Sequence, residues 1–383
     1  MPTSRELDLV RLVETTPPPS GEDTAEVWRA KSVNTNALNG TELRWRHYQP
    51  WLKHRAGYEL RPRYRYDWQV PSQRAHAETE DCQENMTGKL VIDATRVSDG
   101  CRVFIKVIKD DGGSLAQQEI LKYLSSDALM DPRNHTAPLV DVFALPNSGQ
   151  KALVMPLLRP WHSPGFDTVG EAIEFVRQIF EGMQFMHEHN IAHGDCTYHN
   201  IMYDATPMYP DGFHPLDIDR TVAWDGKAKH FTRTERPVRY RFIDFALAIK
   251  CDDKAAALRP PELSKERVIA NTLYNPFPTD VWYLGNLIQV EFIEGYTGFG
   301  FMKKLVADMT KDDPAERPTM DEVVARFENI SSSLSSVTLR RPVTRCYWEF
   351  FNMPSDWHIP TIVQLIMAIP RAWRAAWKFF CIL

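Results

Sequence analysis

KLVIDATRVSDGCRVFIKVIK, Lys89 to Lys109, constrains the fold most: β-branched residues alternate on either side of Ser98-Asp99-Gly100, which predicts two strands joined by a turn. Lys106 sits in the second strand. Its neighbours at two-residue spacing, Phe104 and Ile108, are apolar, so its ammonium needs a partner. Ser114 then precedes LAQQEILKYL with Gln117 three residues on, a capping box that predicts a helix. On that helix Glu119 is flanked at four-residue spacing by Leu115 and Tyr123. Two pairings follow from these features: Glu119 with Lys106 across sheet and helix, or Glu119 with Lys122 on a solvated face.

LVDVFALP and KALVMPLL read as two further strands. EAIEFVRQIFEGMQFMHEHN reads as a long helix with Ile173, Val176, Phe180 and Met183 on one face. Strands and one helix come first and helices later, so the fold class is α+β, with a small sheet-rich lobe stacked on a mostly helical one. A length of 383 residues with 43% apolar content suffices to bury one large core or two lobes.

The long helix delivers HGDCTYHN, His193 to Asn200, with Asp195 and Asn200 five residues apart ahead of the apolar Ile201-Met202. A later strand, RFIDFALA, presents Asp244. Phosphoryl transfer needs an acceptor for a hydroxyl proton, oxygen ligands for Mg²⁺ and a cation on the phosphates. Asp195, Asn200, Asp244 and Lys106 are of those types.

With these residues in place, the sequence resembles the eukaryotic protein kinase superfamily. VFIK is similar to its VAIK strand, HGDCTYHN to its HRD catalytic loop, DFA to DFG, PPEL to APE, DVWYLG to the helix F segment and ERPT to the late Arg motif. The six occur in family order from Lys106 to Arg317. PMYPDGFHP, AKHFTRTERPVRYRFIDF and NPFPTDVWYLGNLI also resemble a kinase-like group abundant in mushroom-forming fungi. The resemblance implies a two-lobed protein-kinase-like fold binding ATP and Mg²⁺. In it Lys106 holds the α and β phosphates and is oriented by Glu119, Asp195 is the catalytic base, and Asn200 and Asp244 hold the metal. It further implies a hinge at Met155 to Leu158 against adenine, an internal ion pair of Glu262 with Arg317, and Asp280 bracing the catalytic loop.

Several positions depart from the family pattern. QENMTGKLVID has only Gly88 where a Gly-rich loop is expected, so backbone N–H groups approach phosphate less closely. Ala246 replaces the Gly of DFG, and any positive φ there costs about 1 kcal/mol or more. Gly194 stands in place of the Arg that often holds a phosphorylated activation segment, and that segment, DFALAIKCDDKAAALRPPE, has no Ser, Thr or Tyr. Thr197 replaces a Lys, a loss of roughly 2–4 kcal/mol of transition-state stabilisation.

These features lead to an expected domain map: a disordered tail over 1–40, a kinase-like domain over 41–335 divided near 158, with an insert at about 205–240, and an extension over 336–383. RWRHYQPWLKHRAGYELRPRYRYDW is read as an extension packing its rings on the domain, or as a surface for an anionic partner. The 43 residues between Asn200 and Asp244 are read as a partner-docking surface or as a cover on the helical lobe. TIVQLIMAIPRAWRAAWKFFCIL, 361–383, is read as docked on the domain or as an in-plane membrane helix giving peripheral membrane contact. A net charge of −5 argues against a wholly nucleic-acid-binding surface. The opening lacks an apolar segment behind a basic start, so an intracellular, cytoplasmic chain is expected, with its six scattered cysteines reduced and mostly buried. The expected activity is slow ATP-dependent phosphotransfer to Ser or Thr of a protein substrate. The alternatives are a pseudokinase scaffold and a small-molecule kinase of the aminoglycoside or choline type.

Overall fold

The computed structural model describes residues 2–19, 38–68, 90–260 and 273–344. A five-stranded antiparallel sheet of order β1-β2-β3-β5-β4 comprises β1 (Tyr58–Glu59), β2 (Val91–Arg96), β3 (Arg102–Lys109), β4 (Asp141–Leu145) and β5 (Gln150–Pro156). The hairpin forms as the alternation predicts, with Lys106 opposite Val91 on one side and Leu153 on the other. Period-2 geometry sends Val103, Ile105 and Val107 to one face and Phe104, Lys106 and Ile108 to the other.

Each face has its own cover. Val103, Ile105 and Val107 join a core with Trp45, Tyr48 and Leu52, contributed by and just beyond helix α2 (Gly40–Trp51). Ile108 and Leu153 on the opposite face pack with Ile120, Leu121 and Leu124 of α3 (Gly112–Leu124). The aromatic-basic stretch is therefore internal: Trp45, Tyr48, Tyr58 and Tyr64 are buried, and Arg63 is paired with buried Glu42 at 2.6 Å. Helix α3 starts earlier than its sequence suggests, because Asp111 caps it by accepting from the Ser114 N–H at 2.9 Å.

The expected disorder over 1–40 is corrected in part. Helix α1 (Ser4–Thr15) forms behind a reciprocal Thr3–Glu6 capping box, and its Val10 and Val13 are buried. Only those two positions of the helix are fully buried, too short a stripe to stand out as a period. The Val13 carbonyl also accepts from Asn147 Nδ2 at 2.9 Å, tying the helix to the sheet lobe.

After β5 the chain becomes mostly helical. Around α4 (Val169–Glu188) gather α5 (Pro276–Ile288), α6 (Lys303–Met309) and α7 (Met320–Ser333), followed by the short α8 (Ser336–Leu339). Ile173, Val176, Phe180 and Met183 are buried as predicted, but so are Phe175, Ile179, Phe185 and Met186, so α4 is buried nearly all round. Short strands β6 (Arg159–Pro160), β8 (Ile201–Asp204) and β9 (Arg239–Phe242) form one small sheet, while β7 (Ile191–Ala192) pairs with β10 (Ile249–Lys250). The fold class is α+β: a small sheet-rich lobe and a larger helical one, joined at β5–β6.

The insert is a cover. Met208, Tyr209, Phe213, His214 and Trp224 are buried, and two interior arginines anchor the region. Arg159 lies 4.5 Å from the Tyr209 ring centroid and donates to Asp219 at 3.1 Å; Arg233 donates to the Trp161 carbonyl at 2.7 Å and the Pro164 carbonyl at 2.9 Å. The C-terminal stretch 361–383 lies outside the described residues. Among the described residues no helix is long and apolar enough to cross a membrane. Of the three described cysteines, all free, only Cys196 is buried, and Cys101 is exposed, contrary to the expected burial.

Candidate functional site

β3 carries Lys106 on the face turned toward the helical lobe, where its Nζ donates to Asp244 Oδ1 at 2.6 Å. Asp244 follows β9 in a left-handed conformation, φ +60°, and caps the single turn Phe245–Leu247 by accepting from the Ala246 N–H. Burial pushes the Asp244 carboxyl up, but the Lys106 charge and hydrogen bond, with the Ala246 N–H, more than offset this and hold it below the ordinary carboxylate value. The strand thus ends at Phe242, earlier than RFIDFALA suggests. The backbone strain falls on Asp244, not on Ala246, whose φ is not positive. The expected cost of Ala in place of Gly is corrected accordingly.

The loop after β7 holds the second half of the site. Asn200 Nδ2 donates to both the Asp195 carbonyl, at 2.8 Å, and Asp195 Oδ2, at 3.0 Å. The Asn200 carbonyl accepts from the Ile243 N–H at 3.0 Å, and the Ile243 carbonyl bonds to His193 Nε2 at 3.0 Å. The loop that carries Asp195 and Asn200 is therefore fastened to Ile243, the residue next to Asp244. Below them Asp280 of α5 is fully buried and accepts from the N–H groups of His193, at 2.8 Å, and Gly194, at 2.9 Å, while meeting His187 Nε2 at 3.1 Å. Burial lowers the His193 pKa and raises that of the Cys196 thiol far above its usual value, so both are held neutral.

Gly194 has φ +77°, and a Cβ there would meet the Leu247 carbonyl oxygen at 2.5 Å. The loop and the turn after Asp244 approach too closely for any side chain. Gly194 is thus required by packing as well as by conformation.

The expected Lys106–Glu119 pair is not formed. Glu119 lies on the solvent side of α3 and pairs with Lys122 at 3.0 Å, because the helix turns its apolar stripe, Ile120, Leu121 and Leu124, inward together with Gln117 and Gln118. Among the described residues the buried Gln118 Oε1 has no partner. Sequence reasoning gave Gln117 a capping role that Asp111 takes instead and missed Gln118; the signal available was their helical phase relative to Leu121 and Leu124. Met155 pairs with Phe104 near the end of β5, and Leu158 is buried just beyond it, at the junction of the lobes. Arg317 donates to the carbonyls of Lys311, Pro278 and Asp312. Its expected partner Glu262 lies outside the described residues, as does Gly88.

The donor set suits a hard divalent cation. With Asn200 Nδ2 engaged by Asp195, Asn200 Oδ1 remains available; with Asp244 Oδ1 engaged by Lys106, Asp244 Oδ2 does too. A carboxylate and an amide oxygen are ligands of the kind Mg²⁺ takes alongside water and phosphate. Lys106 is the cation beside them.

No family model and no curated protein matches the chain. Among solved structures it is similar to the crystal structure of the Rad53 kinase domain and SCD2, at 17% sequence identity and a TM-score of 0.40, over 64% of this chain and 85% of that one.

Proposed function

We propose that the protein is an ATP-dependent phosphotransferase of protein-kinase type, acting slowly on Ser or Thr of a protein substrate. The observation that carries this reading is the meeting of Lys106 and Asp244 at 2.6 Å beside the Asp195–Asn200 pair, which sits on a loop that buried Asp280 fixes from below. Phosphoryl transfer depends mostly on positioning and charge neutralisation, and these residues supply both.

In this reading Asp195 accepts the proton of the attacking hydroxyl, and Asn200, by donating to Asp195 Oδ2, sets the orientation of that carboxylate. Lys106 binds phosphate oxygens, turning from Asp244 as they arrive. Asn200 Oδ1 and Asp244 hold Mg²⁺, which when bound neutralises charge on the phosphates. Met155 and Leu158 line the adenine end. Thr197 contributes no cation to the transferring group, so turnover is slow.

A scaffold without catalysis is the second reading, favoured by the solvent-facing Glu119, which leaves Lys106 without a carboxylate from α3. Purified protein with labelled ATP and Mg²⁺, tested beside Asp195→Asn and Lys106→Met, separates the two. Transfer to a peptide or protein acceptor that both substitutions abolish supports the enzyme. Absence of transfer together with absence of any nucleotide-dependent melting shift in the wild type rejects it. Transfer to metabolites but never to peptides moves the assignment to a small-molecule kinase.

A further inference from the structure

Behind the cleft, the end of α3, the connection to β4 and strand β9 line an open cavity of about 370 Å³. Its basic wall is Arg239 and Arg241, two residues apart on β9 and so on one face of the strand. Among the described residues both guanidinium groups bond only to backbone carbonyls: Arg239 to Pro132 and Asn134, Arg241 to Asn134 and Thr136. Among the described residues neither forms an ion pair. Arg239 Nε is buried with no acceptor, and Arg241 Nε and Nη2 have none either.

Burial, with the Arg239 charge alongside and only Asp204 in opposition, pushes Arg241 down to about 10. Two partly desolvated like charges without a counter-ion are costly, and an anion between them removes that cost. Other wall groups suit one. The Ser125 hydroxyl accepts from the Leu139 N–H at 2.8 Å, which leaves its own proton to donate. Asp131, the one acidic residue lining the cavity, is already held by Arg133 at 3.0 Å. Leu124, Leu129 and Pro138 supply an apolar side, and the volume falls at the lower end of the range for small-molecule sites.

We propose that this cavity binds a small phosphomonoester, its dianionic head between Arg239 and Arg241 and its organic body against Leu124, Leu129 and Pro138. A phosphate dianion matches two guanidinium charges and offers three acceptor oxygens, whereas one carboxylate leaves a positive charge uncompensated. The ligand joins the end of α3 to β9, three residues before Asp244.

Isothermal titration of the full chain with phenyl phosphate, with phenol and benzoate as controls, tests the site. The expected result is saturable one-to-one binding of phenyl phosphate, none of phenol, and benzoate weaker by about tenfold or more. Lys106→Met, which removes the cleft cation, leaves the affinity within about twofold, and Arg241→Gln lowers it by about tenfold or more. Because Arg241 also holds two carbonyls, Ser126→Glu is the second variant. It keeps both arginines, sets a carboxylate on the cavity wall and produces a similar loss. No binding, or benzoate binding as well as phenyl phosphate, overturns the proposal. So does binding lost in Lys106→Met but kept in Arg241→Gln and Ser126→Glu, which assigns the ligand to the cleft.

Discussion

Gly194 and Leu247 touch backbone to backbone: a Cβ on the glycine would stand 2.5 Å from the leucine carbonyl oxygen. The contact joins the loop bearing Asp195 to the turn that follows Asp244, so the two halves of the site are locked without any phosphorylated residue between them. Gly194→Ala adds the cost of a left-handed L residue to that of overpacking against backbone, about 2–4 kcal/mol together. Urea unfolding measures it. A cost below about 0.5 kcal/mol means that the two segments move apart freely.

Glu119→Gln removes the carboxylate that the kinase resemblance assigns to Lys106. Since Glu119 pairs with Lys122 in solvent, the substitution leaves nucleotide-induced melting shifts and the melting temperature of the free protein unchanged. A lost nucleotide shift would instead mean that α3 rotates to bring Glu119 to Lys106 in the bound state.

The hairpin and the long helix were legible because each rests on local pattern, alternation in β3 and a 3.6 period in α4, whereas the Asp280 brace was expected only from the kinase resemblance. The choice between Lys106 and Lys122 as the partner of Glu119 was not legible, since a 100° error in helical phase moves a side chain from core to solvent, and Gln118 looks solvent-facing by type. Asp244 was identified, but its φ of +60° was not, because left-handed backbone at a non-glycine residue is imposed by tertiary contacts, here Lys106 and the Ala246 N–H. Nor did sequence distinguish cover from docking surface in the insert. The burial of Arg159 and Arg233 shows that the insert packs on the helical lobe, and arginine is read as exposed by default.

His193 gives the fold a defined pH response. Burial depresses its pKa below the ordinary 6.5, so the unfolded chain takes up the proton first. Stability tied to neutral His193 is complete above that value and is lost as pH falls toward the folded value; buried His135 acts in the same direction. Asp244, also depressed, extends the loss below the ordinary 3.8. Unfolding free energy is therefore lower at pH 5 than at pH 7.5, and His193→Gln narrows the difference. An unaltered difference in that variant would exclude His193 as a source.

Arg233 tests whether the insert is structural. Its guanidinium, 6% exposed, donates to the carbonyls of Trp161, Pro164 and Gly165 and lies 4.6 Å from the Phe166 ring centroid. Arg233→Met keeps much of the volume but orphans these buried acceptors, at about 1–3 kcal/mol for each that water does not reach. The expected outcome is a loss of about 3 kcal/mol and rapid proteolysis within 205–240, a region resistant in the wild type. The insert also reaches the sheet lobe, where Arg102 Nη1 of β3 donates to the Phe213 carbonyl at 2.6 Å. Releasing the insert thus loosens one tie between the lobes, and domain opening followed by small-angle scattering should increase in the variant. Proteolysis of the wild-type insert at the variant's rate would return it to the status of a free docking loop, and would leave Arg102 as a surface contact with no hold on the cleft.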